Sequence, residues 1–149
     1  MITGIQLSRA GISCTLIERK AYPFHRVCGE YISNETVPFL KSLGLYPEEF
    51  SPSQVGRFQL SSVNGKSADL KLDLGGFGIS RYRYDYFLVE KAKASGVNFI
   101  PDTEVDAIRF NDEKFSVHTR AQIFEADVVV GSFGKRSKID INLNRSFIK

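Results

Sequence analysis

The chain has 149 residues, 42% hydrophobic and 25% charged, which is the composition of a globular domain with its own core. Its 20 basic and 17 acidic residues are interleaved, so the net charge of +3 predicts no nucleic-acid partner. No apolar run approaches the roughly 18 to 20 residues that span a bilayer, which predicts no transmembrane segment and leaves peripheral membrane contact open. Two cysteines make no disulfide framework, so we expect a cytoplasmic protein.

The first quarter of the chain predicts a helix, a strand, a loop and a second helix. Residues 2–10 have helical spacing, and Gly11 can end that helix. The run 14–17, Cys-Thr-Leu-Ile, predicts a strand covered on both faces, as in a parallel sheet. Residues 21–33 show no period and predict a loop, and residues 34–43 predict a helix whose regular part begins late because of Pro38.

The middle of the chain predicts a hairpin and a long helix. Residues 57–63 and 68–74 alternate in polarity on either side of Asn64-Gly65, a hairpin signal, and the glycine-rich run 75–78 breaks the alternation. A helix is expected from about residue 83 to residue 95, with Asp85 in its first turn stabilising the helix end. Its inward stripe consists of Tyr84, Phe87, Leu88 and Ala92.

The last third predicts strands. Residues 97–100 predict one strand, and residues 103–110, 114–120 and 121–125 predict a small antiparallel meander. The apolar run 127–131 predicts a further, fully buried strand. This order of elements predicts an α/β fold with inserted antiparallel β-strands.

Glu18 directly follows the first predicted strand. In a dinucleotide-binding βαβ unit the second strand ends at such an acid, which accepts hydrogen bonds from a ribose. The acid lies roughly 20 residues after a glycine-rich phosphate loop, and counting back from Glu18 passes Met1. The spacing alone leaves open where such a phosphate loop would lie. An ordinary exposed acid is the alternative for Glu18.

Four stretches, in order, carry a likeness to one group of enzymes: IQLSRAGISCTLIERK, RVCGEYIS, GFGISRYRYDYFLVEKAKASGV and ADVVVGSFGKRSKID. They resemble the superfamily of FAD-dependent oxidoreductases that contains geranylgeranyl reductases and flavoprotein aromatic hydroxylases. In the last stretch Ser132 and Phe133 stand where the family has Ala and Asp, while the family pattern is kept at Gly131, Gly134, Arg136 and Ser137.

The resemblance implies that residues 1–149 are a partial, Rossmann-like FAD/NAD(P)-binding domain. This fragment would lack the first strand, the GxGxxG turn of the N-terminal phosphate loop and the C-terminal half. It implies FAD as the cofactor and NAD(P)H as the electron donor. Because backbone N–H groups of the phosphate loop supply much of a pyrophosphate site, the fragment alone is expected to bind FAD poorly, to be inactive and to be unstable.

The resemblance also implies which residues contact the cofactor. Glu18 would hold the ribose, and Arg19 either touches the adenosine edge or is solvated. Arg26 would pair with the phosphates and Arg81 would reach the ribityl-phosphate region. Cys28 is expected to pack against the flavin rather than act as a nucleophile. The expected cofactor-binding set is Glu18, Arg19, Arg26, Cys28, Arg81 and Val105, the last through its backbone; Glu30 is either an acid or a hydrogen-bond anchor.

No metal site and no catalytic residue is predicted. The cysteines and histidines have no paired zinc spacing, and no Gly-x-Ser-x-Gly sequence occurs. The resemblance implies a reductase-like enzyme that passes a hydride through the flavin from a nicotinamide to a small organic substrate, an isoprenoid or another apolar molecule. A flavin monooxygenase or halogenase of the same fold is one alternative, and a non-catalytic fragment without cofactor is the other. The oligomeric state stays open.

Overall fold

The computed structural model describes residues 1–134 and residue 139, and the chain divides into two compact units. The first unit contains residues 1–16 and 21–99, and the second contains residues 17–20 and 100–149. The described residues form both helices and strands, with one parallel strand pair and two antiparallel sheets. The expected α/β class with inserted antiparallel strands is confirmed.

The described helices are α1 (Ile2–Arg9), α2 (Val37–Ser42) and α3 (Arg81–Ala94), with short 3-10 turns at Asn34–Thr36 and Glu48–Phe50. The strands are β1 (Thr15–Ile17), β2 (Tyr31–Ser33), β3 (Ser53–Ser61), β4 (Ser67–Gly78), β5 (Asn98–Ile100), β6 (Val105–Asn111), β7 (Lys114–Thr119) and β8 (Ile123–Ala126). Pro38 lies in the first turn of α2, after a 3-10 turn, so the late start of the regular helix is confirmed.

Strands β1 and β5 form a parallel pair. The Asn98 amide donates to the carbonyl of Cys14, and the Glu18 amide donates to the carbonyl of Ile100, each at 2.9 Å, so both strands run in the same direction. The prediction that residues 14–17 are fully buried is wrong: Thr15 is exposed, and its neighbours in β1 are only half-buried. Among the described residues β1 has β5 as its one strand neighbour, which leaves part of its surface uncovered.

The first unit also contains a three-stranded antiparallel sheet in the order β2-β4-β3. Two expectations from the sequence are wrong here. The loop expected over residues 21–33 ends in β2, and the glycine run 75–78 continues β4 instead of breaking it. Residues 31–33 and 76–78 pair with each other as antiparallel strands, with Tyr31 opposite Gly78 and Ser33 opposite Gly76. The hairpin turn at Asn64-Gly65 is confirmed.

Close packing explains the glycines in β4. A Cβ atom added to Gly76 would lie 2.4 Å from Cε2 of Tyr31 and 2.5 Å from the carbonyl oxygen of Ile32. The Tyr31 ring therefore covers the backbone at this point, and its hydroxyl donates to the carbonyl of Gly75 at 2.9 Å. A ring can lie flat on the strand only where the strand has no side chain of its own.

The core of the first unit lies between α1, α3 and the ends of the strands. The helical stripe predicted for α3 is confirmed, since all of its members are buried. The phenol of Tyr84 donates to the carbonyl of Leu45 at 3.2 Å, and burial raises the pKa of Tyr84 to about 12. The buried cluster is Ile5, Leu40, Leu45, Phe77, Ile79, Tyr84, Phe87, Leu88, Ala92 and Val97.

The second unit contains the meander β6-β7-β8, as the sequence predicts. Its first turn places Asp112 and Glu113 at positive φ, the geometry of a tight hairpin turn. The fully buried strand expected over residues 127–131 is wrong: this stretch forms no strand, and Val128 and Val130 are 74% and 66% exposed. An apolar run becomes a strand only beside another strand, and no described residue pairs with this one.

Replacement of Gly76 by alanine tests the close packing in β4. The new methyl group would overlap a backbone carbonyl that cannot move alone, so Gly76→Ala should lower the free energy of unfolding by about 1–3 kcal/mol. Gly56→Ala is the matched control in the neighbouring strand, where an added Cβ meets nothing within 4 Å. Urea denaturation followed by circular dichroism measures both; equal effects of the two variants would contradict the packing argument.

Candidate functional site

The main polar feature of the first unit is a buried carboxylate shared by two arginines. Arg81 begins α3, and Asp85 lies one turn further along the helix, so their side chains meet. Nε of Arg81 lies 2.7 Å from Oδ1 of Asp85, and Nη2 lies 2.8 Å from Oδ2. Nε of Arg26, from the loop before β2, lies 3.1 Å from the same Oδ2. These three residues are called the Arg–Asp–Arg cluster below.

The cluster carries a net charge of +1 on groups partly withdrawn from water. The Asp85 side chain is only 3% exposed, whereas the two arginines are about one-third exposed, at 38% for Arg26 and 32% for Arg81. Hydrogen bonding to Asp85 raises the pKa of Arg81, although burial opposes it, so this guanidinium stays charged. The exposed edge of the cluster is therefore suited to an anion with several oxygen atoms.

Neighbouring aromatic rings fix the loop that carries Arg26. Its Nη2 donates to the hydroxyl of Tyr22 at 3.0 Å, and its guanidinium carbon lies 4.5 Å from the ring centroid of Phe24. Cys28 is exposed, with its Sγ 4.0 Å from Nη1 of Arg81. The expected cofactor residues Arg26, Cys28 and Arg81 thus lie together in the first unit.

Glu30 anchors the start of α3. Its Oε1 accepts a hydrogen bond from the Arg81 amide at 3.1 Å, and its carbonyl accepts one from the Ile79 amide at 3.0 Å. The residue has a φ of 55°, which turns both acceptors toward the helix start. Of the two roles left open by the sequence, the structure shows the hydrogen-bond anchor.

The amino end of α1 lies within electrostatic reach of the same cluster. Burial lowers the pKa of the Met1 ammonium, and the negative charge of Asp85 opposes this change. A helix amino end favours anions because its first N–H groups and its dipole point outward. The amino end of α1, Arg26 and Arg81 therefore contribute positive potential to one region of the first unit.

The sequence did not predict the role of Asp85 as the shared partner of two arginines. It was expected in the first turn, stabilising the helix end, but it is the fifth residue of α3 and lies in the second turn. The spacing of four between Arg81 and Asp85 was a usable signal for this ion pair. Nothing in the sequence indicated that Arg26, which is 59 positions away, is a hydrogen-bond partner of Asp85.

In the second unit, Glu18 follows β1 with its backbone held on both sides. Its amide donates to Ile100, and its carbonyl accepts from the Thr103 amide at 3.0 Å. The carboxylate oxygen Oε1 accepts a hydrogen bond from the Lys20 amide at 3.0 Å, which keeps the side chain near the end of the strand. This is the position that a ribose-binding acid occupies in a βαβ unit.

The second unit also contains the predicted residues Arg19 and Val105. Nη1 of Arg19 is 3.9 Å from Oε1 of Glu104, and both side chains are mostly exposed, so this ion pair contributes little. Val105 is half-buried and begins β6, opposite Thr119. Gly131 and Gly134 are exposed, while Arg136 and Ser137 lie outside the described residues.

Other kinds of site are not found in residues 1–134 and 139. Within that part of the chain no three His, Cys, Asp or Glu side chains are grouped to hold a metal ion. None of its helices has the length and apolar character needed to cross a bilayer. A cavity of about 200 Å³ near the start of α3, lined by Phe50, Ile79 and Arg83 among others, is too small for a dinucleotide.

Comparison with known proteins shows the same fold in flavoproteins. The halogenase PltM in complex with phloroglucinol and FAD superimposes with a TM-score of 0.78 at 17% identity, over 96% of this chain and 34% of that chain. The flavin-dependent halogenase CmlS gives 0.80 at 21% identity, over 96% and 28%. The Diels-Alderase PyrE3 gives 0.70 at 20% identity, over 88% and 29%.

The amino-acid sequence is also similar to one archaeal protein and to one protein family. The uncharacterized protein Mbar_A1602 of Methanosarcina barkeri is 20% identical over 143 residues, which are 93% of this chain and 35% of that protein. The chain therefore spans about a third of the length of the relatives that it matches. The family described as the FAD binding domain matches residues 1–148. Because this match covers nearly the whole sequence, the chain belongs to the FAD binding domain family, and its cofactor is FAD.

Proposed function

We propose that the Arg–Asp–Arg cluster and the amino end of α1 bind the pyrophosphate of FAD in an FAD-dependent oxidoreductase. The observation that supports this most strongly is the meeting of Arg26 and Arg81 on one buried carboxylate, from segments 59 and 4 residues away from it. Guanidinium groups form charge-assisted hydrogen bonds with phosphate oxygens, and the net positive charge of the cluster attracts an anion. Cys28, exposed beside Arg81, would lie next to the bound cofactor.

The second unit, taken by itself, contains the residues that we propose to bind the adenosine of FAD. The Glu18 carboxylate would accept hydrogen bonds from the ribose hydroxyls, and the backbone of Val105 would lie near the adenine. Arg19 would touch the edge of the adenosine. Each of these side chains acts by binding and orienting the cofactor, and none is placed to move a proton at a reacting atom.

The reaction proposed for the whole protein is hydride transfer through the flavin, from NAD(P)H to a small organic substrate that is an isoprenoid or another apolar molecule. FAD supplies the redox chemistry, and the protein holds and tunes it. The support is the resemblance of residues 26–33, RVCGEYIS, to the reductase branch of the superfamily. As in other proteins of this chemistry, the substrate's specificity would depend on residues outside the cofactor site.

A flavin monooxygenase or halogenase is the second candidate. It is favoured by the similarity in fold to the halogenase PltM in complex with FAD and to the flavin-dependent halogenase CmlS. The similarity to PyrE3, a Diels-Alderase, limits this argument, because the same fold serves a different reaction there.

Binding of FAD tests the proposed pyrophosphate site. Replacing both arginines, Arg26→Gln with Arg81→Gln, should weaken FAD binding at least about tenfold, since hydrogen bonds to charged groups contribute about 1.5–3 kcal/mol each. Arg57→Gln with Arg109→Gln removes the same charge from two exposed strand positions and is the matched control. Quenching of FAD fluorescence measures the affinity. The proposal fails if the double arginine variant binds FAD as tightly as the wild type, or if the control pair loses as much affinity.

The ribose contact is tested separately with ADP and FMN. Glu18→Gln should weaken ADP binding by about tenfold because it removes a charged acceptor, and it should leave FMN binding unchanged because FMN has no adenosine. Glu125→Gln, an exposed acid on β8, serves as the control. Competition with FAD in the same fluorescence titration measures both ligands. An equal loss for ADP and FMN would assign Glu18 a purely structural role.

Dependence on oxygen separates the two candidate reactions. If the protein is a reductase, it should oxidise NAD(P)H and reduce its organic acceptor at the same rate with and without dissolved oxygen. A monooxygenase or halogenase requires oxygen as a substrate, so anaerobic turnover of the organic substrate should be absent. Product analysis by mass spectrometry under both conditions measures this, and oxygen incorporation or halogenation would overturn the reductase proposal.

A further inference from the structure

We infer that Asp85 is a positioning residue that holds Arg26 and Arg81 together as one preassembled anion clamp. The inference rests on the proposed function, because the anion that the clamp is assembled for is the FAD pyrophosphate. Through its charge alone, the Asp85 carboxylate would repel that anion, and the positioning role explains why it lies in the cluster.

The hydrogen bonds of Asp85 are directed wholly to the two arginines. Oδ1 accepts from Nε of Arg81, and Oδ2 accepts from Nη2 of Arg81 and from Nε of Arg26. A carboxylate that is 3% exposed has lost nearly all of its water, and these three hydrogen bonds replace it. Both guanidinium groups therefore share one buried acceptor.

The orientation leaves donor groups for a ligand. Arg81 turns its Nε and Nη2 edge to Asp85, and its Nη1 lies on the side of the exposed Cys28. The planar guanidinium has five donors in a fixed fork, so holding one edge determines where the other edge points. Asp85 also offsets the repulsion between two positive groups that must lie side by side to bind one anion.

A positioning role and a purely electrostatic role of Asp85 predict opposite changes in anion affinity when its charge is removed. Removing the negative charge of Asp85 raises the net charge of the cluster from +1 to +2, which by Coulomb attraction alone should strengthen the binding of an anion. If Asp85 positions the arginines, its removal should weaken binding, because the guanidinium groups lose their common partner and must be ordered by the ligand. A measurement of affinity therefore distinguishes the two.

The test is the FAD affinity of Asp85→Asn, which keeps the size of the side chain and removes its charge. FAD fluorescence titration should show binding weakened by about tenfold relative to wild type, a loss of roughly 1.4 kcal/mol. Glu90→Gln, an exposed acid on the same helix, removes the same charge and should leave the affinity unchanged. Unchanged or tighter binding by Asp85→Asn would overturn the inference.

A second measurement starts from the double arginine variant and distinguishes a positioning role of Asp85 from a general role in supporting the fold. With Arg26→Gln and Arg81→Gln already present, adding Asp85→Asn removes the last buried charge and should not weaken FAD binding further. A positioning residue has nothing left to position there, whereas a residue that merely supports the fold would still reduce the affinity. A further loss in this triple variant would therefore overturn the inference, even if the single variant unfolds.

The outcomes also distinguish this inference from the proposed function. If the double arginine variant binds FAD as tightly as wild type, the proposed function fails and the clamp fails with it. If wild type binds FAD, the double arginine variant is weakened and Asp85→Asn is not, the pyrophosphate site stands and only the positioning role of Asp85 is wrong.

Discussion

The carboxylate of Asp85, removed from water and shared by two guanidinium groups, determines how the loop before β2 lies against α3. A buried charge without partners costs several kcal/mol, so the fold keeps this group only if both the helix and the loop supply donors. Arg81 comes with the helix itself, and Arg26 is held in addition by the hydroxyl of Tyr22. Glu30 then ties the end of the same loop to the first turn of α3. The predicted cofactor residues of the first unit are brought together by these few polar contacts.

Local patterns predicted most of the fold, and contacts distant in sequence account for the errors. The buried stripe of α3 and the turn at Asn64-Gly65 follow from periodicity and turn chemistry, which act within a few residues. Strand β2 is three residues long and exists because it pairs with β4, about 45 positions away. The glycines of β4 were misjudged for the same reason, since a tyrosine ring packed on them compensates for their low strand propensity. In the apolar run 127–131, composition alone suggested a strand that no described neighbour supports.

In the candidate site, too, local features were predictable from the sequence and contacts distant in sequence were not. Glu18 was identifiable because its place after a strand is a local feature, and the Arg81–Asp85 pair has helical spacing. The partnership of Asp85 with Arg26 depends on how the loop folds back, which no spacing rule describes. The comparisons add the family and the cofactor, yet halogenases and a Diels-Alderase share this fold, so the reaction depends on residues beyond the shared framework.

The sharing of one carboxylate by two arginines also restricts how this sequence can diverge. Loss of Asp85 alone would leave two neighbouring cations, and loss of either arginine would leave the acid with half its partners. Single substitutions therefore pass through a less stable intermediate, whereas a joint exchange of all three for neutral residues does not. Among descendants of this gene, positions 26, 81 and 85 should accordingly vary together. An arginine at position 26 or 81 should occur together with an acid at position 85.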